Sequence, residues 1–230
     1  MIYIGIILTI VIFFIFKAIQ NKTTWLILNP ILLTMLLIML ILISSDSTYS
    51  DYANSNLPLT LLLEPAIVAL AMPLYKEFVY IKSQLNNILI ACTLGVLSST
   101  SIALFIAYIL GADNQIIASV APNAVTSPIA MTLANSLGGI AALAAAIVIL
   151  IGVLGTIFAH PFLKLIGVSD KAAQGLAMGA ACHALGTARA VEIDSKIGAF
   201  ASVSLIVSAV LTSIILPILY PLLMSALKSI

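Results

Sequence analysis

Residues 175–190 read GLAMGAACHALGTARA, from Gly175 to Ala190. This stretch sets His183, Thr187 and Arg189 among small residues inside a strongly apolar chain. An unpaired polar side chain in hydrocarbon costs about 2 kcal/mol or more, so such groups persist only where protein or water surrounds them. Small residues let backbones approach closely. The segment therefore reads as a packed, protein-lined position at membrane depth.

The composition agrees. Of 230 residues, 63% are hydrophobic and 7% charged, with a mean hydropathy of +1.26; a soluble domain carries about a quarter charged residues. The reading is an all-α integral membrane protein forming a single domain over residues 1–230, a polytopic bundle with room for roughly seven or eight segments of about 20 residues. A net charge of +1 without a basic cluster gives no basis for nucleic-acid binding. Cys92 and Cys182 lie in apolar segments and do not form a disulfide framework. The N-terminal run MIYIGIILTIVIFFIFK lacks a basic n-region and a small-residue cleavage site, and reads as a retained first helix.

Apolar runs predict helices near 2–17, 25–44, 85–110, 139–163 and 198–227. Between them lie 57–75, 116–136 and 173–190, each interrupted by Pro, Gly or polar residues. Broken segments at membrane depth survive only when buried in protein or lining water, and several in one bundle point to a transporter-like core. Lysines 17, 22, 76 and 82 alternate with loops holding Asp46, Asp51 and Asp113, which predicts an outside N-terminus. Trp25 and Tyr80 then suit the inner aromatic belt, and Tyr49 and Tyr52 the outer one. If 116–136 crosses fully, the loop with Lys164 and Lys171 falls outside; if it re-enters, that loop falls inside, as the charge bias prefers. Re-entry or a deep break is the favoured reading. An inverted repeat is compatible with either, although no internal sequence repeat stands out.

Ser127-Pro128 carries the sharpest local signal: Ser as N-cap, Pro at the first helical position, and an unwound Pro122-Asn123 stretch before it. A helix start there aims free N–H groups inward, an anion site with Thr126 and Ser127 beside it; the alternative is a simple kink. Glu64, before Pro65, is either a proton- or cation-coupling carboxylate or an interfacial glutamate. Gly175, Gly179 and Gly186 fall near one helical face, with Thr187 one turn beyond His183. His183 could shuttle a proton, donate to a substrate or hold structure. Arg189 either pairs with Glu192 or Asp194 or supplies a fixed positive charge. His160, before Pro161, reads as a capping or interface residue. Cys182-His183 is too few ligands for a metal, no cofactor motif appears, and no nucleophile–base set suggests an enzyme.

Three blocks, LEPAIVALAMPLYKE (63–77), SVAPNAVTSPIAMTLANSLGG (119–139) and GLAMGAACHALGTARAVE (175–192), resemble the signature blocks of the LrgB/CidB family of antiholin-like membrane proteins. The resemblance spans nearly the whole chain. It implies a small holin-like membrane partner of the LrgA/CidA type and a multi-pass place in the bacterial inner membrane, and it leaves a homo-oligomer open. It also implies one of two roles: movement of a small carboxylate such as pyruvate or glycolate, or antiholin-like regulation of murein hydrolase export and autolysis. Glu64 stands where the family usually has Gly. Asn123 stands in place of the usual lysine, which removes a positive charge beside the expected anion site. The sequence thus predicts a substrate site from Asn123, Thr126, Ser127, His183, Thr187 and Arg189, with Glu64 as the coupling group.

Overall fold

The long apolar runs become long helices. The protein is described from a computed structural model, over residues 4–23, 28–45, 48–62, 65, 68 and 71–227. Glu64, Trp25 and Asp46 lie outside the described residues. Every regular element is helical among the described residues. Among the described residues four helices are both long and apolar enough to cross a membrane, and the chain is a multi-pass membrane protein. Two further stretches of membrane length, 114–136 and 171–193, turn back on themselves.

Two compact units divide the chain, residues 1–70 and 71–230. In the first, α1 (Ile4–Thr23) packs on α2 (Pro30–Ser44) and α3 (Tyr49–Ser55), followed by α4 (Leu57–Leu61). Asn29 caps α2, accepting from the Ile31 and Leu32 amides, with Pro30 in the first turn where a missing N–H costs nothing. Thr9 on α1 shares hydrogen bonds with Tyr52 at 2.9 Å and Asn56 at 3.3 Å, so polar groups on this apolar helix are satisfied by α3.

The second unit holds α5 (Ala71–Lys76), α6 (Phe78–Ser83), α7 (Leu85–Ile109), α8 (Asn114–Val120), α9 (Ser127–Ser136), α10 (Ala141–Leu165), α11 (Lys171–Ile193) and α12 (Ser195–Leu227). Helices α7 and α12 run parallel. Ile88 and Cys92 share a cluster with Ala199, Phe200 and Val203 at one end, and Leu104 shares one with Leu216 at the other. At the first end Lys196 lies 4.2 Å from the Tyr80 ring centre, a cation–π contact that holds α6 against the start of α12.

Segment 114–136 is re-entrant. Were it one straight helix, Ser119 and Ile140 would stand about 30 Å apart. Instead the Ile140 amide donates to Ser119 Oγ at 2.7 Å. Helix α8 enters, residues 121–125 turn while buried, and α9 returns. Irregular backbone at that depth is shielded by protein.

Segment 171–193, expected only to be interrupted, also folds back. A straight helix of 23 residues would be about 34 Å long, yet Lys171 Nζ at its start lies 2.6 Å from Asp194 Oδ2 just past its end. The reversal is at His183, whose φ of 41° and ψ of −134° are non-helical. The contacts agree along both arms. Gly175 and Gly179 meet α12 at Ile197 and Ala201 in rising order, whereas Thr187 meets Ala201 and Val191 meets Gly198 in falling order. Gly186 therefore does not extend the Gly175–Gly179 face; it packs back on Met178 and Cys182.

Candidate functional site

Each hairpin puts its tip near the middle of the neighbouring helices. In the first, Asn123 is buried and accepts from Ser99 Oγ at 2.6 Å. Ser99 lies close to the midpoint of α7. Val125, beside Asn123, shares a buried cluster with Val148 of α10. In the second hairpin, the imidazole of His183 lies beside the backbone of the same Val148 and against Gly152, where a Cβ would come within 2.7 Å of His183 Cε1. One stretch of α10, Val148–Gly152, thus touches both tips. Gly152 is what admits the imidazole.

The two tips share one local logic. Thr126 has extended backbone and caps α9 without a side-chain hydrogen bond, and Ser127 and Pro128 form its first turn. The helix begins one residue earlier than the Ser-Pro signal placed it, which leaves both hydroxyls half-buried beside the N-terminus. His183 precedes the return arm 184–193. It is 3% exposed, and its Nε2 has no hydrogen-bond partner. Two further buried hydroxyls sit at the middle of α12: Thr212 Oγ1 has no partner, and Ser208 Oγ faces the Cys92 thiol. A buried donor left unmade costs about 1–3 kcal/mol, so their collection at one depth marks a polar level inside an apolar bundle.

Of the expected site residues, the structure brings Asn123, Thr126, Ser127 and His183 to this level. Thr187 is fully buried but faces α12, where its hydroxyl donates to the Ala201 carbonyl at 3.4 Å. Arg189 pairs with Glu192 at 2.9 Å with a part-exposed side chain, the ion-pair alternative rather than a fixed charge at the tips. His160 lies near Lys164, Arg189 and Gln174 at the same end. Ser99, Ser208 and Thr212 were missed. The signal for the first was the polar run Ser98-Ser99-Thr100-Ser101 in mid-helix. No group of three or more His, Cys, Asp or Glu able to hold a metal occurs among the described residues.

Between α7 and the entering arm of α11 runs a groove of ≈ 470 Å³, lined by small residues from Ala91 and Gly95 to Ser98 and Ser99 on one side and by Ala177, Ala180 and Ala181 on the other. Along α7 it runs from Ala91 past Ser99 to Ile102.

The LrgB-like family model matches residues 9–222. The chain belongs to this family. Holin-like protein CidB of Staphylococcus epidermidis is 31% identical over 204 residues, covering 89% of each chain, and its namesake in Staphylococcus aureus is 30% identical over the same share. A protein of Haemophilus influenzae named as uncharacterized is 37% identical over 210 residues, 90% of this chain and 89% of its own. No solved structure matches. This family is not a known enzyme family.

Proposed function

We propose that this chain is a holin-like membrane protein that restrains murein hydrolase export and autolysis together with a small LrgA/CidA-type membrane partner. The observation that carries the reading is the match to holin-like CidB proteins over nine-tenths of both chains. In this role the work lies in helix–helix contacts within the bilayer. We place the chain in the bacterial inner membrane with the lysine-bearing end, near Lys82, Lys164 and Lys171, in the cytoplasm and the N-terminus outside. The test is autolysis and hydrolase release in a deletion strain. Faster lysis reversed by the intact gene supports the role; an unchanged lysis rate contradicts it.

A second reading is favoured by one feature that regulation does not need: two re-entrant tips meeting at mid-depth, where a small carboxylate could be held by the α9 N-terminus, Thr126, Ser127 and His183. Uptake of labelled pyruvate, lactate or glycolate into proteoliposomes separates the two. If Ser127→Ala and His183→Ala both leave uptake intact in folded protein, the placement is wrong. If wild type shows no uptake, regulation stands alone.

A further inference from the structure

Two stretches of the second unit share one plan, end for end. Helices α7 and α10 each have 25 residues. Each closes with a left-handed glycine, Gly111 at φ 74° and Gly167 at φ 82°. At the first, the Ala112 amide donates to the Ala107 carbonyl at 3.0 Å; at the second, the Val168 amide donates to the Leu163 carbonyl at 2.9 Å. This is the same six-to-one C-terminal bond. An aspartate then caps the next helix in each case: Asp113 accepts from the Ile116 amide and Asp170 from the Ala173 amide, both at 2.8 Å. Each aspartate opens a fold-back hairpin. Counting from them, Thr126 and His183 take the same place, the last residue before a ten-residue return arm.

The two hairpins enter from opposite ends. The base of the first lies where Tyr220 donates to the Asn114 carbonyl at 3.5 Å and Ile117 meets Leu104 and Leu216. The second has its base at Ala172, packed with Ile81, Ile88 and Ala199.

We infer that α7 with its hairpin and α10 with its hairpin form an inverted-topology pair, in which the two hairpins act as opposed doors on one mid-membrane compartment and Thr126 and His183 are its equivalent tip residues. A second, independent observation points to a polar occupant: His183 Nε2 is almost wholly buried and unpartnered at the tip. The doors open toward opposite faces of the bilayer by construction, because one crossing and one re-entrant hairpin make an odd number of crossings, which reverses the next copy. This arrangement holds whichever functional reading is right, and its test reads topology alone.

The test is thiol labelling in a Cys92→Ser, Cys182→Ala background with a membrane-impermeant maleimide, on intact cells and on inverted vesicles. Ala112→Cys and Ser169→Cys report the loops at the two hairpin bases, and Ser127→Cys and Ala184→Cys report equivalent tip positions. Ala112→Cys and Ser127→Cys are expected to label from one face, Ser169→Cys and Ala184→Cys only from the other, with the tips at least tenfold slower than the bases. Both bases labelling from one face would overturn the pairing. Tips that label only from the far face, or stay unlabelled while their bases react, would overturn the doors.

Discussion

The seat of the second hairpin on α12 is a contact between backbones, so it can be tested by adding one methyl group. A Cβ built at Gly179 falls against the Ala201 carbonyl oxygen and Ser204 Oγ, and stands 2.8 Å from the Ala201 carbonyl carbon. Backbone cannot rotate away as a side chain can. Relief to ordinary contact requires the arm to move from α12 by roughly 1 Å, and such overpacking costs about 1–3 kcal/mol. Against this, alanine in place of glycine gains about 1 kcal/mol of helix propensity. The expected result for Gly179→Ala is a net loss of up to about 2 kcal/mol. The control is Gly95→Ala on α7, where the nearest atom to the new Cβ is Ala180 Cβ at 4.0 Å. Only the propensity gain remains there, so this variant should match or exceed wild type. Both are measured by reversible SDS denaturation of the purified protein in mixed micelles. If Gly179→Ala proves as stable as Gly95→Ala, the arm does not pack on α12 as described.

Three further outcomes rest on named contacts. Asn123→Ala strands the Ser99 hydroxyl and should cost about 1–3 kcal/mol in the same denaturation assay, whereas adding Ser99→Ala to it should cost less than the sum of the single changes. Ser119→Ala removes the acceptor of the Ile140 amide and should lower protection of that amide in hydrogen exchange, with protection at Leu104 unchanged. The Lys171 ammonium beside Asp194 holds its carboxyl below the usual carboxylate range; the stabilisation is therefore present above about pH 4, where the unfolded carboxyl ionises, and fades as pH falls through the lower folded value. Because the pair is partly exposed, Asp194→Asn should cost under about 1 kcal/mol at neutral pH and less in high salt.

What was legible in the sequence is what hydropathy and local caps control. The five long helices fall within a few residues of their expected spans, apart from the ends of the first two, because unbroken apolar runs leave few alternatives in lipid. Re-entry of 116–136 was readable from Pro122, Pro128 and the lysines at 164 and 171. The fold-back at His183 was not. Its flanks hold no proline, and Gly175, Gly179 and Gly186 fit one face of a straight helix. Only contacts with Ile197, Ala201 and Val148, distant in sequence, force a histidine into a left-handed φ that costs of order 1–3 kcal/mol. The Ser99–Asn123 pair joins residues on different elements and was invisible for the same reason. For Arg189 the sequence leaves an ion pair and a site charge both open, and Glu192, one turn on, pairs with it locally. The internal pairing leaves only Leu-Gly-Ala-Asp and Ile-Gly-Val-Ser-Asp in the sequence, enough for two caps and too little for a visible repeat.

The most direct test is a distance across the second hairpin. Spin labels at Ser169→Cys and Lys196→Cys, in the background without native cysteines, bracket residues 171–193 in protein reconstituted into bilayers. A fold-back at His183 predicts a dipolar electron–electron distance distribution centred below about 20 Å. One continuous helix would place the labels more than about 35 Å apart, and that result would contradict both the hairpin and the mid-depth site built on it.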